Sequence, residues 1–363
     1  MEMEVGEENK DRFSDLPDCV LLRILKFMNT KHAVQTCVLS TRWTNLWKSL
    51  TNLDFNSHDF ISLYYFNNFV YQILSRRDDS ISLRGLDLRR RGCIDPELLD
   101  RVMTYGVSHN VRKFRVEVNL YFKHDFKLHP CIFSCQTLTY LKLSVWAVPS
   151  MTELPTSLQL PVLKSLHLEH VTFSANDDGC AEPFSNCHML KNLVLDRCNL
   201  HCNAKFLTVS NSSISCLTIG STIQEVAYKI VISTPNLSSL TVMRDLIHDV
   251  SACNLCFLEE VNIDVEAYFH TNLERTYSVL ISWLQVFANY VQTMTLSSST
   301  LNILNVLLTT DSMISQFPCC ARLKLLKLEM KSSSSISDEV VSRIVKFLLQ
   351  KSPLAKVDMI DCE

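Results

Sequence analysis

From residue 83 onward the apolar positions fall into one recurring phrase, L-x-x-L-x-L, with Val, Ile, Phe or Met at some of the fixed sites. Copies begin at Leu83, Val111, Leu138, Leu163, Leu190, Ile214, Leu237, Leu258, Val291, Leu323 and Leu354. The interval shrinks from 28 residues to 21 by Leu258 and then widens to 31–33. Apolar and polar residues alternate within each copy, the period of a strand buried on one face. So short a strand cannot cover its own leucines, and each copy must be closed by the next. In the last three intervals the extra residues take up a helical period: Tyr277, Leu280, Ile281, Leu284, Phe287 and Ala288, then Val340, Val341, Ile344, Phe347 and Leu348. Helices are predicted there.

Ahead of these copies the pattern is helical. Phe60, Leu63, Tyr64, Phe66, Phe69, Val70, Ile73 and Leu74 predict a connecting helix, ended by the charged run Arg76-Arg77-Asp78-Asp79. Asp95 followed by Pro96 predicts the cap and first turn of another, with Gly106 near its end. Residues 12–50 predict three short helices. The first enters at Leu16-Pro17 and runs to about Met28, with Leu21, Ile24, Leu25 and Met28 on one stripe and Val20, Ile24 and Phe27 beside it. The second has Thr30 as its expected N-cap and turns Ala33, Val34, Cys37 and Val38 inward. The third, from Ser40, carries Trp43, Leu46, Trp47 and Leu50 on one face. A unit of under about 40 residues rarely sustains its own core. The surplus of apolar positions is therefore expected to be closed by a second protein.

Two resemblances rest on these residues. The spacing of the middle copies, together with Leu190, Leu193, Leu195, Cys198 and Leu200 at every fixed site of L-x-x-L-x-L-x-x-N/C-x-L, is that of leucine-rich repeats. The N-terminal stretch resembles the F-box of plant F-box proteins with leucine-rich repeats. The match runs through Leu16-Pro17-Asp18, Leu21, Leu22, Ile24, Leu25, Thr30-Lys31, Ala33-Val34, Val38-Leu39-Ser40, Arg42-Trp43 and Leu46-Trp47. It departs from the family at Cys19, where an acidic residue is frequent, and at Met28-Asn29, where leucine and proline are frequent. The resemblance implies docking onto a Skp-family adaptor and, through it, onto cullin and RING subunits. The adaptor-binding residues expected on this basis are Leu16, Pro17, Val20, Leu21, Ile24, Leu25, Val38, Leu39, Trp43, Leu46 and Trp47.

The expected architecture is a disordered N-terminus over 1–11, a three-helix F-box over 12–50, a connecting helical region over 51–82 and a curved solenoid over 83–363. The fold class is α+β or α/β, with a parallel concave sheet, helices or irregular turns on the convex side, and longer helix-containing repeats from about residue 264. Residues between the fixed leucines point to the concave face. Arg89, Lys113, Arg115 and Lys142 lie there first, His167 and Asn192 follow, and Glu260 and Asp264 come late, a progression from basic through neutral to acidic. These eight are the expected target-binding positions, weighed against a solvated sheet surface with no partner. The serines at 332–335 read as a loop.

Composition narrows the function. A net charge of -3 offers no electrostatic footprint for nucleic acid. No apolar run reaches the roughly 18 residues of a membrane span, and the polar, acidic start is unlike a signal peptide. Cytoplasm or nucleus is expected. Fifteen cysteines, an odd number, are expected to be reduced thiols, mostly serving as small hydrophobes. Six glycines cannot build a phosphate loop. Cys253-x-x-Cys256 lacks the second pair that a zinc site asks for. His129 near Cys131, and His201 beside Cys202, are the local hints of a thiol nucleophile, set against a packing role. No metal, cofactor or catalytic residue is expected.

The resemblance implies the substrate-recognition subunit of a cullin-RING ubiquitin ligase, itself no enzyme, whose target is a protein of unknown identity. Two other readings stand beside it: an interaction scaffold that promotes no ubiquitination, and an enzyme using a cysteine or histidine site in the solenoid.

Overall fold

A computed structural model describes residues 15–121, 128–148, 152–220, 228–244, 248–266, 273–309, 314–331 and 336–362. The expected disordered stretch 1–11 and the 332–335 serines lie outside the described residues.

The backbone of the molecule is one twelve-stranded sheet, and every neighbouring pair in it is parallel. Ten of the eleven copies lead into its strands with their first apolar residue buried, from Leu83 through Leu323. The eleventh differs: Leu354 is 72% exposed. Its strand, Lys356–Cys362, pairs on one side with Leu325–Lys331, and among the described residues nothing stacks beyond it to cover that leucine.

The sheet also starts earlier than the repeat phrase predicts. Asn52–Asn56 is its first strand and pairs with Gly85–Cys93 from Asn52 opposite Gly85 to Asn56 opposite Arg89. Leu50, Leu53 and Phe55 are buried at the fixed positions of an additional copy. The segment expected to connect two units thus supplies a full turn of the solenoid. Its helix α1 and helix α2 neighbours upstream are Asp18–Leu25 and Thr30–Gln35, and its own helix is α3, Leu63–Arg76, capped by Ser62 and buried along Phe66, Val70, Ile73 and Leu74.

The side opposite the open sheet face depends on how much chain each repeat has. Next to α3 lies α4, Pro96–Ser108, with the Asp95 carboxylate accepting the Glu97 N–H at 3.1 Å as the capping pattern requires. The short central repeats have no room for a helix. They return through two small parallel sheets, one of Thr152–Leu154, Val171–Phe173 and Asn199–Leu200, the other of Cys180–Ala181, Phe206–Ser210, Lys229–Ser233 and Asp249–Ala252. Strands here replace the expected helices or irregular turns. The long late repeats restore helices: α5 (Leu273–Phe287), α6 (Ser298–Leu307) and α7 (Asp338–Lys351). The six apolar residues read for α5 are all buried. Helix α6 follows its strand directly, and Thr300 in its first turn accepts the Val265 N–H at 2.9 Å while donating to the Ile263 carbonyl at 2.8 Å.

Candidate functional site

The N-terminal helices are shorter than their apolar stripes predict. Pro17 is the N-cap residue of α1, which ends at Leu25, three residues before Met28. The cap of α2 is Asn29, whose side chain accepts the His32 N–H at 2.8 Å, and not Thr30. Thr30 is buried instead and its hydroxyl accepts the Asp54 N–H at 2.7 Å, which fastens α2 to the first strand. The third helix is reduced to turns and the 3-10 segment Leu46–Ser49. Arg42 closes the unit from the other side, 2.7 Å from Asp18 and hydrogen-bonded to the Leu16 carbonyl.

These attachments divide the expected adaptor-binding residues into two groups. Leu21, Leu25, Trp43, Leu46 and Trp47 are buried, in one contiguous core with Ala33, Leu50, Leu53 and Phe55. The chain therefore closes much of its own apolar surplus, because the first sheet strand supplies the surface that three short helices lack. Leu16, Val20 and Ile24 are half-buried, and Pro17 is exposed. Val38 and Leu39 are 86% and 65% exposed. Phe27, read as part of a side stripe and left out of the expected contact set, is 93% exposed. It lies three residues beyond Ile24 and seven beyond Val20, on the same stripe of the helical pattern.

All eight expected target-binding residues lie on the open face of the long sheet, since each occupies an outward position of its strand. The expected gradient does not hold. Asp54, Asp87 and Glu117 share that face and interleave with the basic residues. Arg89 reaches Asp54 at 2.7 Å and Asp87 at 3.2 Å. Glu117 takes Arg115 at 2.7 Å and Lys142 at 2.6 Å. Burial pushes the Glu117 carboxyl up, but its bonds to Lys142 and Arg115 outweigh this and hold it below the ordinary range. For Asp87 burial wins, and the acid is raised despite Arg89 and Arg115. At the late end Lys331 lies 3.7 Å from Asp264 and 3.8 Å from Glu266. The first half of the face is a paired network, legible from the same alternation that placed Arg89 and Arg115: Asp87 and Glu117 are the other outward positions of those strands.

One aromatic escaped the sequence reading. Trp146, an outward position on Tyr140–Val148, is 48% exposed and stacks on His170, with ring centroids 5.1 Å apart. His170 stands at φ 60°, and its Nε2 lies 3.4 Å from Glu169 and 3.4 Å from Arg197. Glu169, hydrogen-bonded to His170, has its pKa lowered to about 2. An exposed tryptophan held by a stacked ring is the kind of residue that anchors a protein contact.

The thiol candidates have structural surroundings. His129 caps a 3-10 turn, accepting the Cys131 N–H at 3.3 Å, and burial pushes the Cys131 thiol up, away from thiolate reactivity. Cys198 is buried against the Leu168 carbonyl, and burial raises its pKa as well. Cys202 is exposed and lies 3.6 Å from its half-buried neighbour His201. Among the described residues no three His, Cys, Asp or Glu side chains gather where they could hold a metal, and no helix is long and apolar enough to cross a membrane.

A short helical unit fused to a parallel repeat sheet defines the class: an F-box followed by a leucine-rich-repeat solenoid. The F-box domain model matches residues 13–55, and a model described as "FBD-associated F-box protein At5g56370, LRR repeats" matches residues 99–263. The chain thus carries an F-box domain at its start and a stretch matching the leucine-rich repeats of F-box proteins after it. It is similar to three Arabidopsis thaliana proteins in particular. FBD-associated F-box protein At5g60610 is 28% identical over 97% of this chain and 83% of its own length. F-box/FBD/LRR-repeat protein At1g13780 is 30% identical over 70% of this chain and 58% of its own. F-box/LRR-repeat protein 13 is 32% identical over 53% of this chain and 42% of its own. Against several such relatives the chain spans little more than half their length. An F-box domain in general implies a Skp-type adaptor as partner.

Proposed function

We propose that this protein is the substrate-recognition subunit of a cullin-RING ubiquitin ligase, docking a Skp-type adaptor through its F-box and a target protein through the open face of its repeat sheet. The observation that carries the reading is the exposure of Phe27, Val38 and Leu39 on a unit whose Leu21, Leu25, Trp43, Leu46 and Trp47 are buried in the chain's own core. Side chains left bare on an otherwise closed module are what a partner surface covers. The buried set, Leu21, Leu25, Trp43, Leu46 and Trp47, acts by holding those helices in shape. The protein performs no bond chemistry. It raises the effective concentration of a target beside a charged conjugating enzyme.

The test is reconstitution with a Skp-type adaptor, a cullin and a RING subunit. Wild type co-purifies with the adaptor on size exclusion and shortens the half-life of proteins captured by its solenoid. A variant with Phe27, Val38 and Leu39 all changed to Asp folds, loses the adaptor and loses the effect on half-life. Equal adaptor recovery by both proteins overturns the proposal.

A further inference from the structure

The open face carries a hollow of about 370 Å³ at the start of the sheet. Its floor is a row of four residues opposite one another on successive strands: Asn52, Gly85, Lys113 and Tyr140. Neighbouring strands lie about 4.8 Å apart, so a missing side chain at Gly85 leaves a gap about twice that wide between Asn52 and Lys113.

The backbone does not require that glycine. Gly85 is outside the left-handed region, unlike Gly92 and Gly179. A Cβ there would meet Asn52 Oδ1 at 3.4 Å and the Lys113 carbonyl at 3.9 Å, ordinary contact distances. Gly85 opens its strand, where neither a bulge nor a positive φ calls for a glycine, and the missing side chain lets another group approach the backbone. What lies over Gly85 is the hollow.

The rim offers donors. The side chains of Lys113, Asn52 and Tyr140, each with a polar end that can donate, have no hydrogen bond or ion pair among the described residues, and all three residues line the hollow. The two carboxylates on its upper side are taken: Asp54 lies 2.7 Å from Arg89, and Asp87 lies 3.2 Å from Arg89 and 3.9 Å from Arg115. The uncommitted charge is thus positive and stands beside two neutral donors.

From this we infer that the hollow over Gly85 receives an acidic side chain, Asp or Glu, from a polypeptide lying along the open face. The inference rests on the open face being the target-binding surface, and it names the residue class that one position of a target must carry. Lys113 supplies a charge-assisted hydrogen bond, and Asn52 and Tyr140 complete the coordination of the carboxylate.

The experiment uses the full chain and fluorescent pools of peptides of about a dozen residues, randomised except for a fixed central Glu, Asp, Lys or Ser, read by anisotropy. Glu and Asp pools should bind about 10-fold more tightly than Lys and Ser pools, as one strong polar contact provides. Gly85→Val, which fills the hollow with a residue favoured in strands, should abolish that preference. Lys113→Gln, at an exposed position, should lower it about 5-fold and serves as the second variant if Gly85→Val folds poorly. Equal binding of all pools, no binding of any, a preference for Lys, or a preference that survives either variant overturns the inference. A further variant separates the two levels of the argument. If Thr241→Arg, in the middle of the face, weakens every pool while Gly85→Val and Lys113→Gln change none, the open face still binds targets and the hollow is not its specificity pocket.

Discussion

The Thr30 hydroxyl accepts the backbone N–H of Asp54 at 2.7 Å, joining helix α2 of the F-box to the first strand of the repeat sheet. Three further contacts lie alongside: Asn29 donates to the Asp59 carboxylate at 3.0 Å, Lys31 donates to the Asp59 carbonyl, and the Lys31 ammonium sits 4.7 Å from the centre of the Phe60 ring. The F-box helices and the repeat sheet are thus held by direct bonds, with no free linker between Leu50 and Asn52.

Removing that joint should therefore be measurable. Thr30→Val keeps the shape of a buried side chain and leaves the Asp54 N–H without an acceptor. Denaturant unfolding is expected to show a loss of about 1–3 kcal/mol, the cost of stranding a buried donor.

Exposed and buried members of the F-box should separate cleanly. Phe27→Asp or Val38→Asp should leave the melting temperature within about 2 °C of wild type, because among the described residues these side chains are left exposed, and should weaken adaptor binding by about 10-fold or more. Leu25→Ala should do the reverse in kind, costing about 2–5 kcal/mol of stability through the cavity it opens. Thermal melts and adaptor titrations on the same preparations distinguish the two. If Leu25→Ala and Phe27→Asp behave alike, the division of roles is wrong.

Arg77 is a second internal fastening. Its guanidinium is buried and donates to the Leu50 carbonyl at 2.9 Å, the Ile81 carbonyl at 2.7 Å and the Tyr105 hydroxyl at 3.2 Å. Arg77→Met retains the stem and strands two backbone acceptors, so a loss of about 2–4 kcal/mol is expected. Arg76→Met, its exposed neighbour at the end of α3, should change stability by less than about 0.5 kcal/mol.

Acid sensitivity should trace to His248. The imidazole is buried, tilted against the Tyr228 ring with centroids 3.7 Å apart, and accepts the Tyr228 N–H at 3.3 Å. Burial lowers its pKa to about 3, with Arg275 acting in the same direction. An unfolded histidine takes its proton near pH 6.5, so below that pH the unfolded chain binds one proton more than the folded one. Stability from this group is complete above about pH 6.5 and declines toward pH 3 by up to about 1.4 kcal/mol per pH unit. His167 is shifted in the same direction, by burial first and Lys142 next, and adds to the slope. Urea midpoints between pH 7 and 5 should fall less steeply in His248→Phe; an unchanged slope would exclude His248 as the cause.

Much of this was legible in the chain itself, for a simple reason: a repeat cannot hide its period. The fixed leucines announced the parallel sheet, and the alternation around them put Arg89, Arg115 and Lys142 on its outer face before any coordinates. Helix α5 was likewise readable, since Tyr277 through Ala288 keep one face over three turns. The order of Leu16-Pro17, Trp43 and Trp47 carried the F-box resemblance. Tertiary structure alone decided which side chains those patterns spend inside. Leu21, Trp43 and Trp47 are as apolar as Phe27 and Val38, and only the packing of the folded chain settles that the first set is covered and the second left bare. The same holds for charge. Arg115 and Glu117 are outward neighbours on one strand and their pairing is local, but only the cross-strand register, with Arg115 opposite Lys142, brings Lys142 within 2.6 Å of Glu117, because a charge is neutralised by what lies a few ångströms away in space.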